Sequence, residues 1–154
     1  MTYFIGVDLH KTQFTVCVRG QKKEEIIQYP TSKDGYEQML KKIRRWRKAG
    51  HEVKVGVEST GNTRYFKNRM ESEGVRVSVI NTLKFKVVNE STKKTDKHDA
   101  ATIAEFLEKD MLPESKLCSK ETENIRRLLK SRERLVRSIV GQKNEVHALL
   151  VSLG

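Results

Sequence analysis

Three short apolar runs at strand spacing, followed abruptly by residues at helical spacing, restrict this chain more than any other feature. Tyr3 to Leu9 is densely apolar, and Phe14, Val16 and Val18 alternate after the polar corner His10-Lys11-Thr12. Beyond the turn Gly20-Gln21-Lys22-Lys23, Glu24 to Tyr29 forms a third run that closes at Pro30, as an edge strand tolerates. These runs predict an antiparallel meander. Ser32 then offers a helix cap, and Tyr36, Met39, Leu40, Ile43 and Trp46 recur at helical spacing until Gly50.

From there the chain reads strand, helix, strand, helix. Val53, Val55 and Val57 alternate up to Glu58, and Ser59-Thr60-Gly61-Asn62 leads into a helix with Tyr65, Phe66 and Met70 that Gly74 stops. Val75, Val77 and Val79 give a fifth strand. Asn81 caps the next helical piece, with Leu83, Val87 and Val88 inward and Lys84 and Lys86 outward. A right-handed crossover through the first helix puts the fourth strand parallel to the first and beside it. The expectation is an α/β fold with a five-stranded mixed sheet, order 3-2-1-4-5. It brings Asp8 next to Glu58 at the strand ends, where open α/β sheets present ligand sites.

A second acidic pair lies in Lys93-Lys94-Thr95-Asp96-Lys97-His98-Asp99, which runs into the apolar helical stripe Ala100, Ile103, Ala104 and Leu107. Asp96, Asp99 and Ile103 share one side of that helix, so both carboxylates stand at the N-terminal end of its buried stripe. Aspartates there also serve as caps and complement the helix dipole, so this pair alone does not establish a site. Glu58, at a strand end, can equally face water. Asp8 is harder to explain structurally, because a lone buried carboxylate costs on the order of several kcal/mol unless paired or neutralised. His10 and Lys11 read as turn residues, with phosphate contact the lesser alternative.

The carboxylates suit a hard divalent cation. Mg²⁺ takes oxygen ligands, and phosphodiester chemistry by such ions uses converging carboxylates such as Asp8, Glu58, Asp96 and Asp99 can supply. No cysteine–histidine cluster competes: the four histidines are scattered, and Cys17 and Cys118 lie far apart. Cys17 alternates with apolar strand residues and reads as a small core hydrophobe.

The chain has 154 residues, enough for one domain and too few for two full ones, and a net charge of +11 points to a polyanionic partner, nucleic acid first. The outer face of the first helix, with Lys41, Lys42, Arg44, Arg45, Arg47 and Lys48, reads first as a solvated surface and second as a contact for such a partner. No apolar run of about 18 residues spans a membrane. The unpaired cysteines and the lack of a charged-then-apolar leader lead to the expectation of a cytoplasmic, reducing compartment.

Past Pro113 the pattern changes again. Ile125, Leu128, Arg132, Leu135, Ile139, Gln142, Val146, Leu149 and Leu153 follow three- and four-residue steps for about four heptads, predicting a long coiled-coil-like helix. It can pair with another copy or fold back against the domain.

The motifs Gly6-Val7-Asp8-Leu9-His10-Lys11, Val57-Glu58-Ser59-Thr60-Gly61 and Lys94-Thr95-Asp96-Lys97-His98-Asp99-Ala100, with Ala104-Glu105-Phe106, carry a resemblance. From Tyr3 to Leu112 the chain resembles the N-terminal, RuvC-like domain of DEDD-type transposases and Piv-like site-specific invertases. These are insertion-sequence recombinases, carried by prokaryotic-type mobile elements, and bridge-RNA-guided members are known among them. The resemblance implies an RNase H-like fold, with residues 1–112 as the catalytic domain and 113–154 as a helical connector and oligomerisation segment. It places Asp8, Glu58, Asp96 and Asp99 at the four acidic positions holding Mg²⁺, with Mn²⁺ as a substitute, for DNA strand cleavage and exchange. Lys11, Lys84, Lys86, Lys93, Lys94 and Lys97 are the expected phosphate contacts. DNA, a guide (bridge) RNA and further copies of the chain are the partners it admits. The family's serine-bearing C-terminal domain is not in this sequence, so the expectation is a fragment unable to recombine alone. Asn81-Thr82 stands where the family often has Asn-Pro.

Two other classes stay open from the residues. A non-catalytic basic module binding nucleic acid and oligomerising through its last helix needs no metal. A sugar-kinase-like or actin-like ATPase would need further glycine-rich phosphate loops, and none of the nine glycines form one.

Overall fold

The computed structural model describes residues 1–20, 23–82, 84–85 and 95–154. Its elements are β1 (Thr2–Leu9), β2 (Gln13–Gly20), β3 (Lys23–Pro30), α1 (Lys33–Lys48), β4 (Glu52–Glu58), α2 (Thr63–Glu71), β5 (Arg76–Ile80), α3 (Asp96–Glu108) and α4 (Lys120–Leu153). They fall into two compact units, Met1–Lys116 and Leu117–Gly154.

In the first unit the five strands lie in the order β3-β2-β1-β4-β5. β1 and β2 are antiparallel, as are β2 and β3, whereas β4 runs parallel to both β1 and β5. The alternation of the sequence sorts side chains onto two different faces. Ile5, Val7, Phe14, Val16, Val55, Val57 and Val77 form a thick apolar face against α1 and α2, where Tyr36, Leu40, Ile43, Phe66 and Met70 are buried. Phe14 sits at its centre, with ring contacts to Tyr29, Tyr36 and Phe66. Each such side chain contributes roughly 1.5–3 kcal/mol by leaving water.

The opposite face is built from small residues. Gly6, Cys17 and Gly56 are paired or follow one another across β1, β2 and β4, and Cys17 packs on Ala100 and Ala104 of α3. A Cβ on Gly6 would run into the backbone of Ala100 and Ala104, so only glycine lets α3 lie this close to the strand carrying Asp8.

The helix ends follow the expected signals. Ser32 Oγ accepts the Gly35 amide, and Gly50 turns the chain at φ 79° after α1. Asn81 Oδ1 accepts the Lys84 amide, as a cap should; Leu83, Val87 and Val88 lie outside the described residues, as do Gln21 and Lys22. Beyond α3 the chain returns beside β5, where the Ser115 amide donates to the Val79 carbonyl and the Asn81 amide to that of Pro113.

The second unit is α4, 34 residues long and therefore about 50 Å, capped by Ser119. None of its side chains is buried, and Leu128 is 70% exposed. No helix among the described residues is long and apolar enough to cross a membrane.

Candidate metal centre

β1 carries Asp8 on the narrow face of the sheet, the face that α3 covers, and leaves it only 5% exposed. Two residues on, the chain turns through His10. The His10 amide donates to the Gln13 carbonyl at 3.0 Å and the Thr31 hydroxyl to the His10 carbonyl at 3.1 Å, fixing the turn's backbone. From there the imidazole reaches back, with Nε2 2.9 Å from Asp8 Oδ2 and 3.4 Å from Asp96 Oδ1.

Asp96 arrives from the first turn of α3. Thr95 caps that helix, its hydroxyl accepting the His98 amide at 3.2 Å. The cap is therefore supplied without either aspartate, which leaves the side chains of Asp96 and Asp99 available for other work. At its other end α3 is tethered by Arg19 of β2, which lies 3.6 Å from Glu105 and 3.4 Å from Glu108.

The electrostatics follow from this geometry. Burial pushes the Asp8 carboxyl above its ordinary value; the neighbouring His10 opposes the rise, and the charges of Asp96 and Asp99 add to it. Partial burial disfavours a charged His10, but the carboxylates of Asp8 and Asp96 outweigh it and hold the imidazole above its ordinary value. Negative charge is thus crowded around the buried Asp8 by the partly exposed Asp96 and Asp99, a condition that a divalent cation relieves.

The four expected acids are brought to one end of the sheet but not into one tight set. Asp8, His10 and Asp96 each offer a ligand atom, all within 4.8 Å of one another. Glu58 is half-buried at the end of β4, directly after the Val7–Val57 pair, and by alternation leaves the strand on the same face as Gly56. Asp99 is near enough for its charge to act on Asp8. Neither belongs to the trio. Of the expected phosphate contacts, Lys11, Lys84 and Lys97 are exposed; Lys86, Lys93 and Lys94 lie outside the described residues.

His10 is the residue the sequence reading undervalued. It does lie in the turn, as expected, but its ring belongs to the acidic cluster. The available signal was its spacing: two residues from Asp8, the strand period returns a side chain to the same face.

The donor set fits a divalent ion. Two carboxylate oxygens and one imidazole nitrogen this close can share a cation bonded at about 2.1–2.5 Å, with solvent completing its shell. Residues 5–154 match a family model described as a transposase, DEDD_Tnp_IS110. The chain belongs to this transposase family. The sheet order and strand directions agree with the RNase H-like, RuvC-like fold expected of this DEDD family. Among solved structures, T. thermophilus RuvC in complex with a Holliday junction substrate is similar, at 14% identity and a TM-score of 0.45, covering 75% of this chain and 100% of that one. No curated protein matches the sequence.

Proposed function

We propose that this transposase chain is the metal-dependent DNA-cleaving part of a recombinase, with residues 1–112 as the catalytic domain and 113–154 as connector and oligomerisation segment. Asp8, Glu58, Asp96 and Asp99 hold Mg²⁺, for which Mn²⁺ can substitute. The observation that carries this reading is Asp8, a carboxylate 5% exposed yet met by Asp96 from a distant helix. His10 offsets part of that cost in the metal-free chain, and a divalent cation would offset the crowding of carboxylates that is left. When bound, the ion supplies Lewis-acid polarisation of a phosphodiester oxygen and lowers the pKa of an attacking hydroxyl.

The chain's own residues do the rest. Asp8, rigid in the sheet, fixes the position of the site, and Asp96 and Asp99 come to it on a capped helix. Lys11, Lys84, Lys86, Lys93, Lys94 and Lys97 attract the phosphate backbone without reading sequence, so DNA binding weakens as salt rises. Sequence choice and strand exchange then depend on partners: a guide (bridge) RNA, further copies of the chain, and a serine-bearing domain outside this sequence. The setting is the cytoplasm of a cell carrying the mobile element.

Calorimetric titration of Mg²⁺ and of Mn²⁺ into the chain tests the reading, with Asp8→Asn and Glu58→Gln beside it. Binding that raises Tm and is lost in Asp8→Asn is expected. If neither ion binds or shifts Tm, what stands is a basic nucleic-acid-binding and oligomerisation module with no catalytic role.

A further inference from the structure

We propose that His10 is itself a ligand of the divalent ion, through Nε2, and that it biases the site toward transition ions over Mg²⁺. This rests on the metal-dependent reading above and adds to it a residue outside the four acids. Donor atoms on adjacent corners of an octahedral shell, with bonds of about 2.1 Å, stand roughly 3 Å apart. The separations of His10 Nε2 from Asp8 Oδ2, 2.9 Å, and from Asp96 Oδ1, 3.4 Å, are close to that edge length. In the metal-free chain Nε2 shares a hydrogen bond with Asp8, so the ion replaces that proton and Nε2 takes a corner next to each carboxylate, whose oxygens lie within 4.8 Å of one another.

Two further features favour ligation over displacement of the ring. The backbone of residue 10 is held from both sides, by Gln13 and by Thr31, so the imidazole springs from a fixed point. The ring is also the least buried of the three donors, with its side chain 47% exposed against 8% for Asp8, so it can adjust by a few tenths of an ångström without disturbing the sheet. A neutral nitrogen completes one corner without adding to the crowded negative charge. Because imidazole nitrogen favours transition ions while Mg²⁺ prefers oxygen, the mixed set discriminates where four carboxylates would not.

Pulsed electron paramagnetic resonance on the full chain loaded with Mn²⁺ reads this directly. Nitrogen hyperfine coupling from a bound imidazole is expected in the unaltered chain and absent in His10→Gln. Losing a residue that merely supports a ligand costs about 10–100-fold in metal affinity, so His10→Gln should weaken Mn²⁺ by on the order of tenfold or more, and Mg²⁺ by clearly less. Mn²⁺ bound with no nitrogen coupling overturns the assignment of His10 while leaving the metal-dependent function intact. Equal losses for the two ions overturn the selectivity. Failure of the unaltered chain to bind either ion removes both this inference and the function beneath it. Nitrogen coupling that persists in His10→Gln comes from another of the four histidines and likewise overturns the assignment; a circular dichroism spectrum matching that of the unaltered chain shows that the variant folds.

Discussion

Asp8 shows how much one residue can be asked to do. Its carboxylate is buried at the end of a strand that is otherwise apolar, and burial disfavours its charged form in the absence of a cation. Asparagine keeps the shape and removes the charge, so Asp8→Asn should raise the Tm of the metal-free chain while abolishing the rise expected on adding Mn²⁺. Thermal melts with and without metal check both halves, and a lower metal-free Tm would show that the carboxylate is already well compensated. Cys17, on the same face, behaves oppositely to a functional group. Burial pushes its thiol up to about 12, so at pH 8 it should resist alkylation in the folded chain and react only after denaturation, as mass spectrometry would record.

At the scale of elements, the approach of α3 to β1 decides whether a site exists. Gly6→Ala would drive a methyl group into the backbone of Ala100 and Ala104, and overpacking of that kind costs about 1–3 kcal/mol or more. Denaturant unfolding should show the loss, and Mn²⁺ affinity should fall with it because Asp96 moves away from Asp8. Elsewhere Arg44 of α1 ties down the turn after α2, its guanidinium hydrogen-bonding Glu73 and holding that carboxyl below its ordinary value of 4.5. The unfolded chain therefore takes up the proton more readily. This contribution is complete above 4.5 and disappears as pH falls through the lower native value, so Glu73→Gln should flatten the acid limb of a stability curve. These elements were legible in the sequence because period-two and helical patterns, caps and Gly50 all act locally. The sheet order followed from the handedness of one crossover. What was not legible was the grouping of donors: alternation brings Asp8 and Glu58 to one face, yet how near two carboxylates come depends on side-chain rotamers and helix placement. His10 was undervalued because it was assigned to the turn alone, although its two-residue step from Asp8 puts it on the same face.

For the whole molecule, charge and the terminal helix set the terms. With a net charge of +11, affinity for DNA should fall steeply with added salt and vary little with sequence in the absence of any guide, which a salt series on unrelated duplexes would measure. Along α4, Ile125, Leu128, Leu135, Ile139, Val146, Leu149 and Leu153 keep three-, four- and seven-residue steps and are all exposed. A helix of this composition is stabilised in water mainly by burying such a stripe, and Arg132 and Gln142 on the same seam fit a pairing whose register is specified at a cost in stability. Self-association through α4 follows from the proposed assembly role. Replacing Leu128 and Leu135 by Gln removes at least roughly 3 kcal/mol of apolar burial, enough to raise the dissociation constant more than about a hundredfold. Sedimentation should find the parent chain associated and the double variant monomeric, with Mn²⁺ binding unchanged because the donors lie in the other unit. A parent chain that stays monomeric at every accessible concentration would remove the self-association role of α4.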